Sequence, residues 1–166
     1  MRLPLLILCI LTTIIFSCNS TNQTSNDEQV IKSLFDQWGP VTAAKNIDQI
    51  MAFYAPSDSS VFFDAFLPRE YKGTNAYKKD YENFFAAFPG PIKSTISDMK
   101  IHSAGTMAYV HAIDTWTMDI EGKSTDFVFR VTDVLEKING KWLIVHEHLS
   151  FPVDPVTGKA DFLSKQ

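Results

Sequence analysis

A chain of 166 residues, 45% hydrophobic and 20% charged, can bury one domain-sized core, and 13 phenylalanines favour a core or cavity built from rings. Formal net charge is -4 with no basic block, which argues against nucleic acid as a partner. The two cysteines, Cys9 and Cys18, are too few for a disulfide scaffold.

Residues 1–17 read as an export signal. Arg2 gives a thin positive start, and Leu5 to Phe16 an apolar stretch too short to span a bilayer comfortably. The run ends Ile15-Phe16-Ser17-Cys18, which resembles the lipobox of bacterial lipoproteins. That resemblance implies cleavage before Cys18, acylation of Cys18 with palmitate-type chains, and a lipid-anchored membrane protein of the bacterial cell envelope. Cysteine arithmetic agrees, because the cleaved chain would keep a single thiol at its first residue. Ordinary secretion, with Cys18 free or paired between chains, is the plain alternative. Residues 18–26 are polar and aperiodic, as in a flexible tether.

A domain is expected over 27–153, with a surface-wrapping tail over 154–166. Ser25-Asn26-Asp27-Glu28 forms a capping box, and Val30, Ile31, Leu34, Phe35 and Trp38 recur at helical spacing after it. Gly39-Pro40 should kink or break that helix, which Val41 to Lys45 could resume. A second helix is predicted over Ile47 to Tyr54, then a short buried strand Val61-Phe62-Phe63-Asp64 and an edge segment reaching Lys72. Thr74 caps a third helix, lined by Tyr77, Tyr81, Phe84, Phe85 and Phe88 and stopped by Pro89-Gly90-Pro91.

Four strands follow, near Ile92 to Ser103, Met107 to Ile120, Thr125 to Lys137 and Lys141 to Phe151. Tight turns join them, of which Asn139-Gly140 carries the strongest hairpin signal. Strict alternation along the last strand puts Trp142, Ile144, His146, His148 and Ser150 on one face, and Glu147 with Leu149 on the other. Two imidazoles and a hydroxyl make a poor plain core, so the first face is expected to line a pocket. The fold class is α+β: about three N-terminal helices packed on a strongly curved, mostly antiparallel sheet.

Three local patterns carry a family resemblance: Lys45-Asn46-Ile47-Asp48 before the second helix, Phe62-Phe63-Asp64 with Gly73 nine residues after Asp64, and Gly140-Lys141-Trp142 leading into His146-Glu147-His148-Leu149-Ser150. In this order they resemble the SnoaL-like and ketosteroid-isomerase-like domains of the nuclear transport factor 2-like superfamily. The last pattern also resembles the closing strand of the association domain of calcium/calmodulin-dependent kinases. The resemblance implies a cone-shaped roll whose mouth holds a ligand, and a homodimer formed through the outside of the sheet. Function is not implied, since the scaffold hosts isomerases, cyclases, dehydratases, hydrolases and non-catalytic binders.

By resemblance Asp64 takes the place of the isomerase base. A carboxyl among Phe62, Phe63 and Phe66 would have a raised pKa if it points inward, suiting it to remove a proton beside a carbonyl; outward, it is a surface aspartate at a strand end. Trp38 stands where those isomerases carry an enolate-donating tyrosine. Tyr54, Tyr77 or Tyr81 could substitute, and Asp133 or Thr132 lies near the second donor's place. His146 and His148 are candidates for catalysis, ligand contact, structural hydrogen bonding, or a metal pair with His111, Asp114 or Glu147 as loose third ligands. Arg130 could neutralise an acidic ligand, or pack its stem on rings. Glu147 is expected to pair across strands with Lys137. The chemistry expected is that of a cofactor-independent isomerase, dehydratase or hydrolase acting on a small, largely apolar molecule, with an acidic group among its options. The alternative is a non-catalytic ligand-binding or assembly module.

Overall fold

The computed structural model describes residues 20–163; the signal segment and Cys18 lie outside them. Four helices precede and accompany a sheet: α1 (Ser20–Phe35), α2 (Trp38–Ala43), α3 (Ile47–Met51) and α4 (Thr74–Ala87). The strands are β1 (Val61–Phe63), β2 (Tyr71–Lys72), β3 (Ile92–Ala104), β4 (Met107–Ile120), β5 (Lys123–Ile138) and β6 (Lys141–Ser150). They form one six-stranded sheet in the order β2-β1-β6-β5-β4-β3, antiparallel except where β1 runs parallel to β6. The helices pack on its curved face, so the α+β cone expected from the sequence is the fold. Among the described residues no helix is long and apolar enough to cross a membrane.

The helical starts differ from expectation. α1 begins at Ser20, so the Ser25 capping box lies inside the helix instead of opening it. Asp27 is buried against the sheet instead, accepting from Lys137 Nζ at 2.7 Å and Trp142 Nε1 at 3.3 Å; Lys137 therefore answers Asp27 and not Glu147. A turn at Asp36-Gln37 separates α1 from α2, and Gly39-Pro40 sits in the first turn of α2, where proline's missing N–H costs nothing. α3 ends at Met51 because Phe53 and Tyr54 leave it to pair with β6: Ala55 N donates to Ile144 O and Ile144 N to Phe53 O. Gly73, at φ 79, caps α4 in place of Thr74, whose hydroxyl donates to Ala55 O.

The hairpin turns are as read. Glu121-Gly122 and Asn139-Gly140 all have positive φ, the geometry that a type I′ turn requires. Inward residues alternate along β4 (Ala108, Val110, Ala112, Asp114, Trp116, Met118), and along β5 from Phe129 to Leu135.

β6 breaks its alternation. Val134 pairs with His146 but Leu135 pairs with Ile144, so Val145 is an extra residue, a bulge. One inserted residue exchanges the faces beyond it. Trp142 and Ile144 point inward before the bulge, and Glu147 and Leu149 after it.

Candidate active-site cavity

Between sheet and helices lies a cavity of about 420 Å³, walled by Trp38, Phe84, Trp116, Phe127 and Phe129 and opening beside the exposed Phe66 and Leu67. Three polar clusters stand in its wall. Each arises from a carboxyl placed at an otherwise apolar inward position.

The first centres on Glu147. Its carboxyl accepts from the hydroxyls of Tyr77 and Tyr54, the latter at 2.9 Å, and Tyr54 lies 3.3 Å from the hydroxyl of Tyr81. Asp133 is its Cα partner on β5 and is also buried. Burial raises both carboxyls. It pushes Glu147 up to about 7 against the opposing hydrogen bonds from Tyr77, Tyr54 and Asp133, while burial and then the Glu147 charge hold Asp133 well above the carboxylate range. Asp133 is thus the member that keeps its proton and donates to Glu147.

The second cluster centres on Asp114, which accepts from Trp38 Nε1 (3.0 Å), Trp116 Nε1 (2.8 Å) and Ser94 Oγ (2.8 Å). Burial raises its pKa and these three donors oppose the rise. Trp38 therefore reaches the cavity, but its N–H is already committed to Asp114.

The third cluster stands at the mouth. Asp64 Oδ1 accepts from Phe66 N at 2.9 Å, and Tyr71 donates to Asp80 at 2.5 Å. Burial raises Asp64 to about 6; the Asp80 charge acts the same way, and the backbone N–H groups of Phe66 and Ala65 oppose it.

Asp64, Trp38, Tyr81 and Asp133 stand in the cavity wall, and Tyr54 stands behind Glu147. The histidines and Arg130 do not join them. The bulge turns His146 and His148 to the far side, where both pack edge-on against Phe63 and His146 Nδ1 bonds Val61 O at 2.6 Å. His148 and His111 are exposed, and Arg130 points outward to donate to Phe151 O at 2.8 Å. Thr132 is exposed as well. Glu147, expected to be a cross-strand partner, is instead the centre of the largest cluster.

A curved sheet closed by helices around a polar-studded, ring-lined hollow defines a cone-fold pocket protein. The model of the SnoaL-like domain matches residues 31–154, and the chain belongs to that family. It is similar to a nuclear transport factor 2-like protein of unknown function from Pseudomonas putida KT2440, at 30% identity and TM-score 0.78, over 86% of this chain and 99% of that one. A protein from Xanthomonas campestris, provisionally called an association domain of calcium/calmodulin-dependent protein kinase II, is 28% identical at TM-score 0.61, over 72% and 84% of the two chains. A provisionally named dehydratase from Streptomyces avermitilis shares the fold at 13% identity and TM-score 0.66, over 76% and 97%. No curated protein matches the chain.

Proposed function

We propose that this domain binds a small, largely apolar molecule in the ring-lined cavity and moves a proton on it without a cofactor, in an isomerisation or a dehydration. The supporting observation is Asp64, a carboxyl in the cavity wall with a pKa of about 6. At neutral pH it is largely ionised, yet roughly a hundredfold stronger as a base than an ordinary aspartate. Asp64 takes a proton from carbon next to a carbonyl, leaving neutral Asp64 and an enolate. In an isomerisation the same proton returns at another carbon. The Tyr81 hydroxyl faces the same space and can donate to an enolate oxygen. The neighbour named as a dehydratase shows that this chemistry has been ascribed to the scaffold. We place the protein in the bacterial envelope, exported and held at a membrane by acylated Cys18.

Deuterium wash-in from heavy water tests the base, with 1-tetralone as an apolar ketone. The wild type should exchange the proton beside its carbonyl, and Asp64→Asn should slow exchange by roughly 10²–10⁴-fold. Exchange unchanged in Asp64→Asn would remove Asp64 from the role. The second reading, a non-catalytic binding or assembly module, is favoured by the 28%-identical relative called an association domain. It predicts cavity binding with no exchange in either form.

A further inference from the structure

Asp114 takes an inward position on β4 between Ala112 and Trp116, where the strand otherwise turns apolar side chains to the cavity. Its donors are complete. The indole N–H groups of Trp38 on α2 and Trp116 on β4 reach the same oxygen, Oδ2. Ser94 of β3 donates to Oδ1, and the Thr95 N–H adds a fourth bond. A carboxyl so occupied has nothing left to offer a ligand. What it does instead follows from where the two indoles stand, since both form the cavity wall.

A hollow of about 420 Å³ with aromatic walls is not self-supporting. Protein interiors close-pack, and the cost of unfilled space grows with its volume, so large side chains around it are drawn inward. Trp38 and Trp116 are the largest side chains in this wall. Their ring neighbours, Phe53 and Tyr81 for one and Phe84 and Phe129 for the other, meet them edge-on, contacts that another rotamer could replace. The indole N–H opposes the swing. It is a donor only, so leaving Asp114 would strand it in apolar surroundings and strip a buried carboxyl of a donor at the same time.

From two indoles converging on one oxygen beside an open, ring-lined space, we infer that Asp114 is a positioning residue that holds the cavity open before any ligand arrives. It ties Trp38 and Trp116 back against the wall. Because Trp38 comes from α2 and Ser94 from the edge strand β3, the same carboxyl joins the helical and sheet sides of that wall. A ligand then meets a preformed surface and has no rings to displace, which favours binding. The inference rests on the cavity-binding part of the proposed function and not on the chemistry of Asp64. Asp114 governs the entry of a ligand, and proton transfer proceeds without it.

Xenon enters apolar cavities and reports open space in the ligand-free protein, so its NMR shift on titration is the first readout, with 1-tetralone as the second. The wild type should take up xenon. In Asp114→Ala the indoles should swing in. Xenon and 1-tetralone should then each bind at least about tenfold more weakly, while the deuterium-exchange rate at saturating 1-tetralone changes less than about threefold. Asp114→Asn, which keeps an acceptor oxygen for the indoles, should stay within about threefold of the wild type for both. A merely structural aspartate would lower stability in Asp114→Ala and leave both affinities alone. The substitution itself adds space, so unchanged or stronger xenon binding overturns the inference, as does an Asn variant as weak as the Ala one. If Asp114→Ala does not fold, Trp38→Phe decides, since it keeps a ring, adds space and removes one tie. Weaker xenon binding there supports the inference, and unchanged or stronger binding overturns it. A wild type that takes up xenon but not 1-tetralone would count against the cavity-binding reading and leave the role of Asp114 standing. A wild type that excludes xenon would overturn that role, even if 1-tetralone binds.

Discussion

Asp133 and Glu147 face each other across the β5–β6 ladder at 1% and 3% exposure, one proton-holding and one receiving. Two carboxyls so placed cannot both ionise cheaply, because each charge raises the free energy of the other and water is excluded. Tyr54 and Tyr77 supply the hydroxyls that make the single charge tolerable.

This arrangement sets a pH dependence of stability. Glu147 rises from an ordinary 4.5 to about 7, and Asp64 from 3.8 to about 6, so between those limits the folded chain holds more protons than the unfolded one. Their favourable contribution is complete below the unfolded values and is lost as pH climbs through the folded ones. Raising a buried carboxyl's pKa by one costs about 1.4 kcal/mol once it ionises. The depressed acids Asp48, Glu70 and Asp154 act only below about pH 4.5, outside this window. Denaturant unfolding should therefore show lower stability at pH 8 than at pH 5.5, and Glu147→Gln should flatten the slope. A slope of opposite sign would mean that the buried carboxyls do not govern it.

The histidines give a contrary expectation. His148→Ala should leave 1-tetralone binding unchanged and shift stability by no more than about 0.5 kcal/mol. His146→Ala should leave binding unchanged and cost about 1 kcal/mol, from the lost bond to Val61 O. Loss of binding in a folded His148→Ala protein would return the histidines to the site.

Why the histidines misled is local. A hairpin turn is written in two adjacent residues, so Asn139-Gly140 and the strands flanking it were legible, and the order of helices and strands gave the cone. Both the Asp114 and Asp133 positions were readable in the same way, as single carboxyls in an inward apolar series on β4 and β5. The Val145 bulge is not local. It depends on how β6 pairs with β5, and no single residue in Leu143-Ile144-Val145 announces it. Alternation counted from Trp142 puts His146 inside; counted back from Leu149, it puts Glu147 inside. Only the pairing register decides between them.

Gly39 fixes the other wall. A methyl added there would meet the backbone oxygen of Ser94 at 2.9 Å, so α2 lies against β3 as closely as a glycine allows. That approach brings Trp38 and Ser94 to Asp114 from two elements. Gly39→Ala should destabilise by about 1–3 kcal/mol through forced separation, and should weaken 1-tetralone binding as Trp38 shifts. Gly90→Ala, with nothing within 4 Å, is the control and should change stability by less than about 0.5 kcal/mol. Equal stabilities for the two variants would show that the helix can move away freely.

The proposed attachment to a membrane rests on the other end of the chain. Cys18 follows a short apolar run and a small residue, and neither cysteine lies within 20–163. A thiol kept at the first residue of a cleaved chain has a use if it carries acyl chains, and more than one chain makes an anchor stable where one alone is marginal. Metabolic labelling with a radioactive fatty acid should mark the wild type and not Cys18→Ala, and the variant should move from the membrane fraction to the soluble one. Equal labelling of both proteins would end the lipid assignment, leaving the cone and its cavity untouched.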